Sequence, residues 1–129
     1  MGKTQEIGNS GEAFVAEYLK KKGFIISARN FHSRFGEIDI IAENDDLILF
    51  VEVKTRSENS KIRPYEYVNL TKQRKIFITA NIYLQCNGHG LMPRFDVAEV
   101  FTSSNGKMTL NYFENAFGAD DFENFRPSL

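Results

Sequence analysis

A single cysteine, Cys86, rules out an internal disulfide framework and fits a reducing compartment. No apolar run approaches the roughly 20 residues that a membrane-spanning helix needs, and the N-terminus lacks the apolar core of a secretory signal. Repeats, low-complexity tracts and linkers long enough to divide domains are also missing. With these excluded, 129 residues read as a cytoplasmic globular domain large enough to bury a core without staples. Charge of one sign is scarce as well, since the formal net charge is -1. That balance hides an asymmetry. Residues 54–75 carry Lys54, Arg56, Lys61, Arg63, Lys72, Arg74 and Lys75 against Glu58 and Glu66, a local +5, whereas the chain from Asp96 onward sums to -4. A basic cluster of this kind is either a solvated face or a grip for a polyanion.

What the chain does have is two apolar runs interrupted by charge. Gly36–Ala42 and Leu47–Lys54 are rich in branched apolar residues, and Asn44-Asp45-Asp46 between them has turn composition, so together they predict a hairpin. If Asp45-Asp46 is a two-residue loop, Asn44 faces Leu47, and counting outward places Asp39 opposite Glu52 on one face. Glu52 and Lys54 share that face by alternation, as does Glu37 with Asp39. Directly opposed like charges repel and a buried unpaired carboxylate is costly, so a cation is needed there. Oxygen donors with no cysteine or histidine nearby favour magnesium or manganese over zinc. The plainer alternative is a structural salt bridge with Lys54.

Around the hairpin, Glu6–Lys22 reads as an amphipathic helix with Phe14, Val15, Tyr18 and Leu19 on one side and Gly23 as its stop. A strand follows over Phe24–Arg29, with His32 in a loop beyond it. Arg56–Leu70 is a long polar stretch expected to order on substrate. Thr71–Cys86 reads as a second helix capped by Thr71, with Gln73, Ile76, Phe77, Ala80, Tyr83 and Leu84 at helical spacing and Cys86 as a packed thiol. Arg94–Phe101 and Lys107–Phe113 form a further hairpin about Asn105-Gly106. Asp96 reads as one half of a strand-edge salt bridge.

The motifs Gly8-Asn9-Ser10-Gly11-Glu12, Tyr18-Leu19, Arg29-Asn30, Gly36-Glu37-Ile38-Asp39, Phe50-Val51-Glu52-Val53-Lys54, Lys72-Gln73 and Arg94-Phe95-Asp96-Val97 resemble the YraN-like family of uncharacterised bacterial proteins, UPF0102. That family is similar in turn to archaeal Holliday junction resolvases and to the PD-(D/E)xK nucleases. The resemblance implies an α/β, restriction-endonuclease-like fold over residues 1–117, with a central mixed sheet of about five strands flanked by helices. Residues 118–129 remain as an acidic, aromatic extension that includes Phe122 and Phe125, following Phe117. Carried over residue by residue, Asp39, Glu52 and Lys54 match the signature, Gln73 resembles a glutamine that follows it, and Ile38 stands where the signature has proline. Glu12 matches a first-helix ligand, so Glu12, Asp39, Glu52 and the Val53 carbonyl are the expected metal shell, with Mg2+ or Mn2+ as cofactor. Arg56, Lys61, Arg63, Lys72, Arg74 and Lys75 are the expected nucleic-acid contacts. The implied activity is endonucleolytic cleavage of structured or branched DNA, and a homodimer suits such a substrate. Two alternatives stay open: a nucleic-acid-binding protein without turnover, and an interaction module whose acidic, aromatic tail (Phe117, Phe122, Phe125) docks on a partner.

Overall fold

The computed structural model describes residues 2–57, 69–87 and 90–118, with the side chains of the first helix from Ser10 onward. Its elements are α1 (Gly2–Lys21), β1 (Ile25–Ser33), β2 (Gly36–Glu43), β3 (Leu47–Ser57), α2 (Leu70–Asn87), β4 (Met92–Thr102) and β5 (Met108–Phe117). The five strands form one mixed sheet in the order β1-β2-β3-β4-β5. Every neighbouring pair is antiparallel except β3 and β4. A parallel pair needs a crossover, and α2 lies within it.

The two helices bury opposite faces. Val15, Ala16 and Leu19 of α1 pack on Ile40, Ala42, Leu49, Val51, Ala98 and Val100. Ile76, Ala80 and Tyr83 of α2 pack on Ile38, Ile41, Ile48, Phe50, Phe95 and Val97. Covered on both sides, β2 and β3 need the near-continuous apolar runs that their sequences show. The α2 side is built around stacked rings, with Phe95 5.4 Å from both Phe50 and Phe117. This is an α/β fold, a five-stranded mixed sheet flanked by two helices, compatible with a restriction-endonuclease-like architecture. Among the described residues no helix is long and apolar enough to cross a membrane.

Local chemistry sets the element ends. The left-handed Gly23 (φ 95°) stops α1: its N–H bonds to the Lys20 carbonyl and the Phe24 N–H to that of Leu19. Asn44 fixes the β2–β3 turn, its side-chain oxygen accepting from the N–H groups of Asp46 and Leu47.

Several sequence expectations change. The cap of α2 is Asn69 rather than Thr71, since Asn69 Oδ1 accepts from the Lys72 N–H at 2.9 Å and its carbonyl accepts from Gln73. His32 lies in β1, not in a loop, and pairs with the exposed Glu37 at 3.1 Å. Phe14 is partly exposed beside the sheet-facing residues of α1, and Cys86 is exposed rather than packed. Phe117 belongs to the core, not to the tail. Asp96 is fully buried in an interior strand rather than at an edge. It accepts from Arg94 Nε and Nη2, both at 3.0 Å, from the Tyr112 hydroxyl at 2.6 Å and from the Asn115 N–H at 2.9 Å.

Helix α1 meets β3 where no side chain fits. A Cβ added to Gly11 would overlap the Thr55 hydroxyl and lie 3.2 Å from Thr55 Cβ. Alanine is favoured over glycine in a helix by about 1 kcal/mol, whereas overpacking costs about 1–3 kcal/mol. Gly11→Ala is therefore expected to lower the urea midpoint of unfolding, and adding Thr55→Ala to recover part of the loss. A midpoint raised by Gly11→Ala alone would show that the helix and strand separate without cost.

Candidate functional site

The site lies where two strands part. The β2–β3 ladder runs from Glu43↔Ile48 to Ile40↔Val51, which leaves Asp39 and Glu52 as the next facing pair. At that step Asp39 Oδ2 accepts from the Val53 N–H at 2.8 Å, so a side chain takes over from the backbone ladder. Beyond it β3 continues beside β4 as far as Ser57↔Thr102. The fork is marked on β1 too. Arg29 pairs with Ile40 and Phe31 with Ile38, so Asn30 faces Asp39, and Asn30 is left-handed with φ 53°. Asparagine tolerates that conformation better than most residues. The alternation of β2 slips at the same point, since Ile38 and Ile41 face α2 while Ile40 faces α1.

Asp39 and Glu52 are only 7% and 6% exposed. Burial pushes the Asp39 carboxyl up from 3.8 to about 9, helped by its hydrogen bond to Glu52 and by the Glu52 charge, against the opposing pull of the Val53 N–H. Asp39 therefore gives up its proton far less readily than an exposed aspartate does. The cations beside the two carboxyls come from two elements. Lys72, in the first turn of α2, places Nζ 2.7 Å from Glu52 Oε2. Lys54, half-buried on β3, is shifted below the usual lysine range by burial and then by neighbouring Lys72. Lys72 is shifted upward: burial opposes its charge, but the adjacent Glu52 carboxylate prevails.

The remaining expected residues divide. Gln73 is half-buried next to Lys72 on α2. Val53 is fastened to Asp39 through its N–H, leaving its carbonyl as the ligand expected from sequence. Glu12 contributes its charge to the surroundings of Asp39 but is turned to Arg29, 3.4 Å away. Arg56, expected on a phosphate, is instead buried at 9% side-chain exposure and ion-paired to Glu99 of β4 at 3.4 Å. Lys72 likewise lies against Glu52 rather than on an outer face. Arg74 and Lys75 are exposed on α2. Lys61, Arg63 and the stretch expected to order on substrate lie outside the described residues, apart from the ends of β3 and α2. Sequence reasoning missed Glu99, which is 1% exposed and whose burial raises its pKa against the pull of Arg56 and Asn111. A lone acid in the apolar run Val97–Phe101 was the available signal.

Among the described residues no three His, Cys, Asp or Glu side chains gather as a metal cage. Magnesium does not require one, since it commonly binds through one or two carboxylates with waters and substrate phosphates. A buried acid pair in which burial disfavours the Asp39 carboxylate, with the Lys72 ammonium 2.7 Å from Glu52, fits such an ion. Glu12 would join only by leaving Arg29.

The family model for the uncharacterised protein family UPF0102 matches residues 11–100. A UPF0102 protein of Caldicellulosiruptor saccharolyticus is 43% identical over 115 residues, covering 88% of this chain and 98% of its own. One from Clostridium tetani is 44% identical over 115 residues, covering 88% and 94%. One from Dictyoglomus thermophilum is 41% identical over 115 residues, covering 88% and 98%.

The acid pair makes metal-free stability depend on pH. Folded Asp39 holds its proton up to about 9 while the unfolded chain releases it near 3.8. Between these values the native state binds more protons, so stability falls as pH rises across the window. Asp39→Asn is expected to flatten that decline in urea unfolding series at several pH values. An unchanged slope would show that Asp39 ionises freely in the fold.

Proposed function

Because the chain belongs to the uncharacterised protein family UPF0102, we propose a function for its shared scaffold: metal-dependent endonucleolytic cleavage of structured or branched DNA in the cytoplasm. The observation that carries this reading is the buried, hydrogen-bonded pair Asp39–Glu52 at a strand fork, with Lys54 and Lys72 beside it.

Asp39, Glu52 and the Val53 carbonyl would hold Mg2+ or Mn2+. The bound ion supplies charge neutralisation at the phosphoryl oxygens and a water of lowered pKa. The other roles belong to the chain. The Asp39–Val53 bond fixes one carboxylate against β3, so the ligand set is organised before substrate arrives. Lys54 projects on the same strand face as Glu52, where a compact ammonium stabilises charge developing on the scissile phosphate. Gln73 offers an amide to a phosphate or to the attacking water. Arg74 and Lys75, with Lys61 and Arg63, contact the backbone and so position nucleic acid without reading sequence. A homodimer would present two such sites to a symmetric junction.

The Lys72–Glu52 ion pair favours a second reading, because it neutralises the cluster without metal: a nucleic-acid-binding protein with this fold and no turnover. The interaction-module alternative rests on a tail of which only Gly118 is described.

Purified protein with Mn2+ or Mg2+ is expected to nick branched DNA in preference to linear duplex. Asp39→Ala and Glu52→Ala should each lower the rate at least about 100-fold. Equal cleavage by either variant would remove the acid pair from the reaction. Salt-dependent binding without metal-dependent products would establish the second reading.

A further inference from the structure

Of the charged side chains expected to grip nucleic acid, Lys72 alone among the described residues is seen at the acid pair itself. Its Nζ lies 2.7 Å from Glu52 Oε2, yet that oxygen receives no hydrogen bond of good geometry. The ammonium therefore acts there as a point charge more than as a directed donor. Three features make this contact one that can be exchanged. The Glu52 carboxylate is 6% exposed on its side chain and fixed on the sheet, whereas Lys72 is 37% exposed and sits on a long, flexible stem. Lys72 occupies the first turn of α2, directly preceding Gln73 and the exposed Arg74 and Lys75, so a swing away from Glu52 moves it toward the face expected to meet phosphate. Lys54 shares the strand face of Glu52 by alternation, so a second basic side chain remains on that face when Lys72 leaves.

We propose that Lys72 is a built-in competitor of the divalent cation: its ammonium holds the place on Glu52 that the metal takes, and metal arrival displaces it toward the substrate phosphate. This rests on the metal-dependent reading of the same site. One residue then has two positions. In the free protein it neutralises a buried carboxylate and weakens metal binding; with metal and nucleic acid present it becomes a phosphate contact. Metal loading and nucleic-acid binding are thereby coupled, because phosphate offers the displaced ammonium a new partner and each ligand assists the other.

The test is Mn2+ binding to the full chain without nucleic acid, followed by titration calorimetry and by electron paramagnetic resonance of free Mn2+. Lys72→Met removes the charge and keeps much of the stem, while Lys72→Arg keeps the charge. Lys72→Met is expected to bind Mn2+ about tenfold more tightly than the natural chain, a coupling of the size linked ionic equilibria usually show. Lys72→Arg should return the affinity toward that of the natural chain. Thermal unfolding supplies a readout for a variant that folds poorly: Mn2+ should raise the melting temperature of Lys72→Met by more than that of the natural chain. A purely structural lysine would give the opposite sign, with looser binding once the site is disturbed. Mn2+ binding by the natural chain that Asp39→Asn abolishes, but that Lys72→Met leaves unchanged or weakens, overturns the displacement and leaves the metal-dependent reading standing. Absence of Mn2+ binding in both the natural chain and Lys72→Met overturns both.

Discussion

One hydrogen bond organises the candidate site: the Val53 N–H donating to the Asp39 carboxylate at the point where β2 and β3 separate. Two strands that part leave backbone groups without ladder partners, and buried groups of that kind must be satisfied. Here an acidic side chain supplies the partner, which draws a carboxylate into the sheet beside Glu52. Burial and the Glu52 charge then disfavour the Asp39 carboxylate, and Lys72 lies against Glu52. The left-handed Asn30 across the strand, the slipped alternation of β2 and the docking of the α2 N-terminus all occur around this fork.

The sheet contains another buried acid, Asp96, that behaves differently. Asp96 has a bidentate arginine, a tyrosine hydroxyl and a backbone N–H on its two oxygens. Such a network is complete, and it locks the irregular stretch of β5 around the left-handed Asn115. Its charge raises the Tyr112 hydroxyl far above the usual phenol range, after burial. Asp39 and Glu52 are incompletely served by comparison, since Glu52 Oε2 is buried without a hydrogen-bond partner and meets only the Lys72 charge. A satisfied buried acid reads as architecture, and an underserved one as a place for a ligand.

The hairpin was legible because its turn is short and its composition explicit. Asn44 fixes a two-residue loop, and counting from it gives the Ile40↔Val51 register that the strands adopt. The boundaries of β1 were less legible, since Asn30 looks like a strand end but is a left-handed residue inside a continuous strand. Thr71 and Asn69 are both competent caps, and Asn69, the stronger of the two types, caps a helix that starts at Leu70. The docking of α2 on the sheet decides that Lys72 turns inward, and the pairing of β3 with β4 decides that Arg56 meets Glu99. Charge clusters in sequence say which residues are basic, not which ones the tertiary fold spends on internal partners.

The crossover between β3 and β4 also divides the site into a part near in sequence and a part brought from afar. Asp39 and Glu52 are joined through a tight hairpin, a contact whose loop-closure entropy is small. Lys72 reaches them from a helix whose seating relies on the sheet it covers, and β4 must still pair in parallel with β3, a slow class of contact. The meeting of the acids is thus local in the chain, whereas their neutralisation is a long-range contact that only the seated helix supplies.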